Sequence, residues 1–124
     1  MKIRCQENSI RLRLRKSDIN QLSTVGEVVE SVSFGDSSFS YSIAINGDDF
    51  DAEFVDGRLA LTIPIAIGQQ WIMTDQVGVE HQIQWPTGNV LSILIEKDFP
   101  CLDRPHEDKS DTFYELADQN PDTC

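Results

Sequence analysis

The sequence predicts an α+β fold: a duplicated ββαββ unit of about eight mostly antiparallel strands, curled toward a barrel, with two short helices outside. Three observations predict it. Apolar and polar residues alternate in short runs bounded by turn residues, the mark of half-buried strands. Helical spacing next to capping residues interrupts that alternation in two places. The order of two strands, a helix and two strands recurs, which points to internal repetition.

The first two strands are read from Ile3 and Cys5 alternating with Lys2 and Arg4, and from Ile10, Leu12 and Leu14 alternating with Arg11, Arg13 and Arg15. Gln6-Glu7-Asn8-Ser9 supplies the turn between them. Ser17-Asp18 caps a helix whose apolar positions are Ile19, Leu22 and Val25, and Gly26 ends it. Val28–Phe34 and Phe39–Ile45 follow as strands around a Gly35–Ser38 turn. Asn46-Gly47-Asp48 is the strongest hairpin signal in the chain. Phe50, Ala52 and Phe54 alternate with Asp49, Asp51 and Glu53; Asp56-Gly57 turns the chain into Leu59, Leu61 and Ile63. Pro64 suits the first turn of a second helix with Ile67, Trp71 and Ile72 on its buried face. Val77, Val79, His81, Ile83 and Trp85 alternate as a strand that places His81 and Trp85 among core residues. Pro86–Asn89 turns, and Val90–Lys97 is the last strand.

The pseudo-repeats span about 1–46 and 48–97 of a single domain ending near residue 113, with 98–113 packed onto it and 114–124 a flexible tail. An offset of 47 lays Lys2-Ile3-Arg4-Cys5 on Asp49-Phe50-Asp51-Ala52 and Arg11–Leu14 on Arg58–Leu61; it grows to about 50 later in the chain.

Charge is unevenly spread. The 124 residues carry a formal net charge of −11, yet residues 1–16 hold +5, residues 17–95 hold −10 and residues 96–124 hold −6. The overall sign opposes binding to nucleic acid or to a membrane surface. No apolar run reaches the roughly 18 residues of a membrane span. Three cysteines are too few for a disulfide framework and no export signal is read, so a cytoplasmic monomer or homodimer is expected.

Lys2, Arg4, Arg11, Arg13, Arg15 and Arg58 are the candidate anion-binding residues, because guanidinium forks match phosphate and carboxylate oxygens. Asp49, Asp51 and Glu53 form an acidic counter-face, expected to pair with the arginines if the repeats bring the two ladders together. Cys101, Asp103, His106, Glu107, Asp108 and Asp111 are a second group, dense in metal-ligand types but lacking the paired spacing of a zinc ribbon. No cofactor is expected, a divalent metal on this group being the alternative.

On Arg11–Arg15, Arg58, Glu80 and Glu96–Asp98, the duplicated sheet-plus-helix pattern resembles the CYTH-type triphosphate tunnel enzymes. That resemblance implies a charged tunnel and metal-dependent hydrolysis of phosphorylated or triphosphate compounds. The family's metal-binding Glu-x-Glu-x-Lys start is here Lys2-Ile3-Arg4-Cys5-Gln6. Lys2-Ile3-Arg4, Asn8–Leu14, Asp75–Gly78, Glu96–Leu102, Arg104-Pro105, Glu107-Asp108, Asp111 and Phe113 resemble a group of short uncharacterised bacterial proteins across nearly the whole chain. The resulting expectation is a binding module for an anionic small molecule or an acidic protein surface, with enzymatic activity the competing one.

Overall fold

A computed structural model describes residues 1–99, 111–113 and 115–116. Its elements are β1 (Lys2–Gln6), β2 (Ser9–Leu14), α1 (Lys16–Val25), β3 (Glu27–Ser33), β4 (Ser38–Ile45), β5 (Asp51–Val55), β6 (Arg58–Ile63), α2 (Ile65–Met73), β7 (Gly78–Gln84) and β8 (Val90–Lys97). The order is ββαββ twice, and the fold is α+β as expected. None of its helices is long and apolar enough to cross a membrane.

The strands form two four-stranded sheets, ordered β1-β2-β8-β7 and β3-β4-β6-β5. Two compact units carry them: residues 1–19 with 75–124, and residues 20–74. Each sheet therefore takes one hairpin from each ββαββ repeat. The central pair, β2 with β8 or β4 with β6, is parallel; the flanking pairs are antiparallel. Joining the hairpins through their inner strands leaves β1, β7, β3 and β5 as edges. The described strands thus make two open sheets, and the closed barrel toward which the expectation curled is not formed among them.

The register makes the duplication exact at the level of hydrogen bonding. Lys2↔Arg13 in the first sheet corresponds to Asp51↔Thr62 in the second, an offset of 49 residues. Ser9↔Ser92 corresponds to Arg58↔Ser40, and Glu27↔Ala44 to Gly78↔Glu96, so β3 shifts by 51 and β4 by 52. Irregular bonds repeat as well: Asp98 N donates to Leu14 O at 2.7 Å where Asn46 N donates to Ile63 O at 3.0 Å. The offset of 47 expected for the first hairpin is thus two residues short. Strand side chains alternate with a period of two, so a two-residue slip preserves every apolar match.

Local chemistry explains the turns. Glu7 and Asn8 have φ of 51° and 58°, and Asp56 and Gly57 have 51° and 74°, the left-handed pair a two-residue hairpin needs. Asn46-Gly47 does not close a hairpin, because β6 lies between β4 and β5. Asn46 N and Gly47 O instead bond to Ile63 and Ile65, extending the parallel ladder before the chain turns back.

Within the first unit Leu12, Leu14, Val79, Ile93, Ile95 and Phe99 are buried; within the second, Val28, Ile43, Leu59, Leu61, Ile63 and Trp71 are. Fully burying each such side chain stabilises by about 1.5–3 kcal/mol. Helix α2 buries Gly68 and Trp71 and leaves Ile67 39% exposed, so its inner face is not the expected Ile67, Trp71 and Ile72. A Cβ on Gly68 would stand 2.8 Å from Ile45 Cδ1, so close approach to β4 sets the rotation of this helix.

Candidate functional site

The polar face of the first sheet follows from strand alternation and register. Successive rows across β1, β2, β8 and β7 read Lys2–Arg13–Glu96–Gly78, Arg4–Arg11–Leu94–Glu80 and Gln6–Ser9–Ser92–Gln82. The opposite face carries Ile3, Leu12, Ile95 and Val79, then Cys5, Ile10, Ile93 and His81. His81 therefore lies in phase with Val79 and Ile83, as its spacing predicts, and is half-buried.

Two pairs of like charges sit directly opposite one another on the polar face, Lys2 against Arg13 and Arg4 against Arg11. Such pairs are destabilising unless countered. The counter-charges are Glu96 near the end of β8 and Asp98 just after it, both buried. Glu96 Oε1 accepts from Arg11 Nε at 2.6 Å, is paired with Arg11 Nη2, and lies 2.9 Å from Arg13 Nε. Asp98 lies 3.2 Å from Lys2 Nζ and 3.8 Å from Arg13 Nε. The Arg13 guanidinium also stacks over Phe99, 5.1 Å from the ring centroid, which favours a cation by the ring's negative face.

The arginines were expected to pair with Asp49, Asp51 and Glu53; the ion pairs described for Arg11, Arg13 and Arg15 run instead to Glu96, Asp98, Asp18 and Asp111. Asp49 precedes β5, and Asp51 and Glu53 are exposed on β5 itself. In true register Arg4 corresponds to Glu53 and Lys2 to Asp51, but Arg11 corresponds to Ala60 and Arg13 to Thr62. Glu96, Lys97 and Asp98 correspond to Ala44, Ile45 and Asn46. The second sheet holds the same register with neutral residues, so the buried charges are not a requirement of the fold.

Arg15 precedes α1, and its backbone N donates to Asp18 Oδ2 at 2.9 Å, a cap on the helix start. The same oxygen lies 2.9 Å from the Met1 α-amino nitrogen. Asp111 accepts from Ser17 N at 3.0 Å and from Ser17 Oγ at 2.6 Å. The Ser17 hydroxyl, with the Ser17 amide and Arg15 assisting against some desolvation, holds the Asp111 carboxyl below the usual carboxylate range. Asp111 is thus tied to the first turn of α1. Burial lowers the Lys97 ammonium pKa, opposed by Asp75 and Glu115; Lys97 Nζ stands 5.6 Å from the Phe113 ring centroid.

Cys101, Asp103, His106, Glu107 and Asp108 lie outside the described residues, as do 117–124 of the expected tail. Among the described residues no group of three or more His, Cys, Asp or Glu is placed to hold a metal.

A basin of about 710 Å³ is lined by Arg4, Ser9, Arg11, Glu80, Ser92 and Leu94 of the polar face, with Ile10, His81 and Ile93 of the alternate positions also contributing. Arg4 Nη2 donates to Gln6 Oε1 at 3.1 Å, keeping its guanidinium along the sheet face. The equivalent place on the second sheet is a smaller depression of about 440 Å³ beside Glu53, Asp56, Arg58 and Ala60. Arg58 is therefore on a different sheet from the rest of the basic set.

Glu80, Glu96 and Asp98, named above for the tunnel-enzyme resemblance and not among the anion-binding candidates, also belong to this face. Glu80 was legible from its alternation with Gln82 and Gln84. Glu96–Asp98 had a weaker signal: three charges directly continuing the apolar run of a strand.

No curated protein and no solved structure matches the chain. A family model matches residues 1–117, nearly the full length, and the chain belongs to that family, a family of unknown function (DUF7009).

Proposed function

We propose that this protein is a cytoplasmic binding module that takes an anionic small molecule on the polar face of its first sheet. The observation that carries the reading is the cluster of cations there. Lys2, Arg4, Arg11 and Arg13 occupy a two-by-two block of adjacent positions, and Glu96 and Asp98 are the acids described against it. Arg4 and Arg11 line the basin, Arg11 while paired with Glu96, and Glu80 lines it from β7. Carboxylate or phosphate oxygens suit those guanidiniums. An exposed free thiol at Cys5 accords with a reducing compartment. The competing reading, a metal-dependent hydrolase of triphosphate compounds in a charged tunnel, has no closed barrel among the described strands to support it.

Arg4→Gln is the variant to use, because Arg13 is held by Glu96 and Asp98 and its loss would disturb the fold. Thermal denaturation in phosphate, sulfate or pyrophosphate is compared with sodium chloride of equal ionic strength. An anion at tenfold over its Kd stabilises by about 1.4 kcal/mol, a shift of several degrees. The shift is expected for the natural chain and reduced in Arg4→Gln; no shift with any of the anions refutes the reading.

A further inference from the structure

The basin has two ends of opposite charge. Its second row runs Arg4–Arg11–Leu94–Glu80, with the guanidiniums at the β1 side and an exposed carboxylate on the β7 edge. Between them Leu94 is neutral, and the adjacent row Gln6–Ser9–Ser92–Gln82 presents amides and hydroxyls. Gln82 Nε2 lies 3.4 Å from Ser92 Oγ, which holds that amide at the basin floor. The corresponding row of the second sheet is Glu53–Ala60–Ser42–Val29, with no opposed charges at its ends. The arrangement is therefore particular to the basin and not a by-product of duplication.

From this layout we infer that the basin takes a short peptide with both ends uncapped, its carboxylate at Arg4 and Arg11 and its ammonium group at Glu80. The inference rests on the anion-binding reading and names the class of ligand. Three interstrand steps of about 4.8 Å separate the Arg4 and Glu80 backbones by roughly 14 Å. An extended chain covers about 3.3–3.6 Å per residue, so three or four residues bridge the charges. Side-chain amides offer a donor and an acceptor each, which matches peptide groups lying across the floor. An isolated phosphate engages only the cationic end.

The test is calorimetric titration of the full chain with tetraglycine, N-acetyl-tetraglycine, tetraglycine amide and sodium phosphate. Tetraglycine is expected to bind, and each cap to weaken binding by about fivefold, the scale of one solvent-accessible ion pair. Glu80→Gln should erase the penalty for acetylation and keep that for amidation; Arg4→Gln should reduce the penalty for amidation, Arg11 remaining, and keep that for acetylation. Far-UV circular dichroism checks that both exposed-site variants remain folded, and the capped-peptide comparison on the natural chain needs no variant. Equal affinity for capped and uncapped peptides, or no binding of tetraglycine, overturns the inference. If phosphate then still binds in an Arg4-dependent way, the anion reading stands without it; if phosphate also fails, both fall.

Discussion

Replacing Glu96 by alanine removes the carboxylate that lies between Arg11 and Arg13. Its side chain is 5% exposed, while those of Arg11 and Arg13 are 24% and 15% exposed. Breaking a buried pair by deleting one partner costs about 3–5 kcal/mol, because an uncompensated charge stays behind. The arginines' partial access to water lowers that, and about 2–4 kcal/mol is expected for Glu96→Ala. The duplication supplies the control. Arg11, Arg13 and Glu96 correspond to Ala60, Thr62 and Ala44. The triple variant Arg11→Ala, Arg13→Thr and Glu96→Ala installs the neutral set, so it should recover at least half of the single variant's loss. Urea unfolding followed by tryptophan fluorescence and by circular dichroism measures both, with equal m-values confirming a comparable transition. A Glu96→Ala cost below about 1 kcal/mol, or a triple variant no more stable than the single one, refutes the reasoning.

Further outcomes follow from the same contacts. Hydrogen bonds from Ser17 lower the Asp111 pKa in the folded state, so its contribution is present above the unfolded carboxylate value and is lost as pH falls through the folded one. The stability difference between the natural chain and Asp111→Asn should be largest at neutral pH and shrink below about pH 4, as read from melting temperatures across an acid series. Gly68→Ala places a methyl 2.8 Å from Ile45 Cδ1, and overpacking of this kind costs about 1–3 kcal/mol. Shortening the neighbour should relieve it, so a double-mutant cycle with Ile45→Ala should show favourable coupling, and strict additivity would place the strain elsewhere.

The elements and their doubling were legible because half-buried strands alternate and helices do not. Topology was less so. Asn46-Gly47 carries a hairpin's residues, but β6 is inserted between β4 and β5, and a local turn signal does not report which strand becomes the neighbour. Repeat register was ambiguous by two residues for the reason that alternation has a period of two. That slip set Arg11 on Arg58, whereas the true register sets it on Ala60; acidic β5 is the counterpart of basic β1 in either register, but correspondence between repeats does not make two strands neighbours. The basic candidates on β1 and β2 do share one face. Their partners did not emerge, because β2 pairs with β8 over more than eighty residues of sequence and only that pairing brings Glu96 beside Arg13. Val25 has helical spacing yet is 72% exposed, since it ends α1 one residue before Gly26 turns the chain away.

On the proposed function, the polar face of the first sheet, and not that of its duplicate, receives an anion. An amide chemical-shift titration of the isotope-labelled chain with sodium phosphate, at constant ionic strength, tests it directly. Saturable shifts are expected around Arg4, Ser9, Arg11 and Ser92, with β3 to β6 unmoved. Shifts that do not saturate, or that centre on Arg58 and the second sheet, would contradict it.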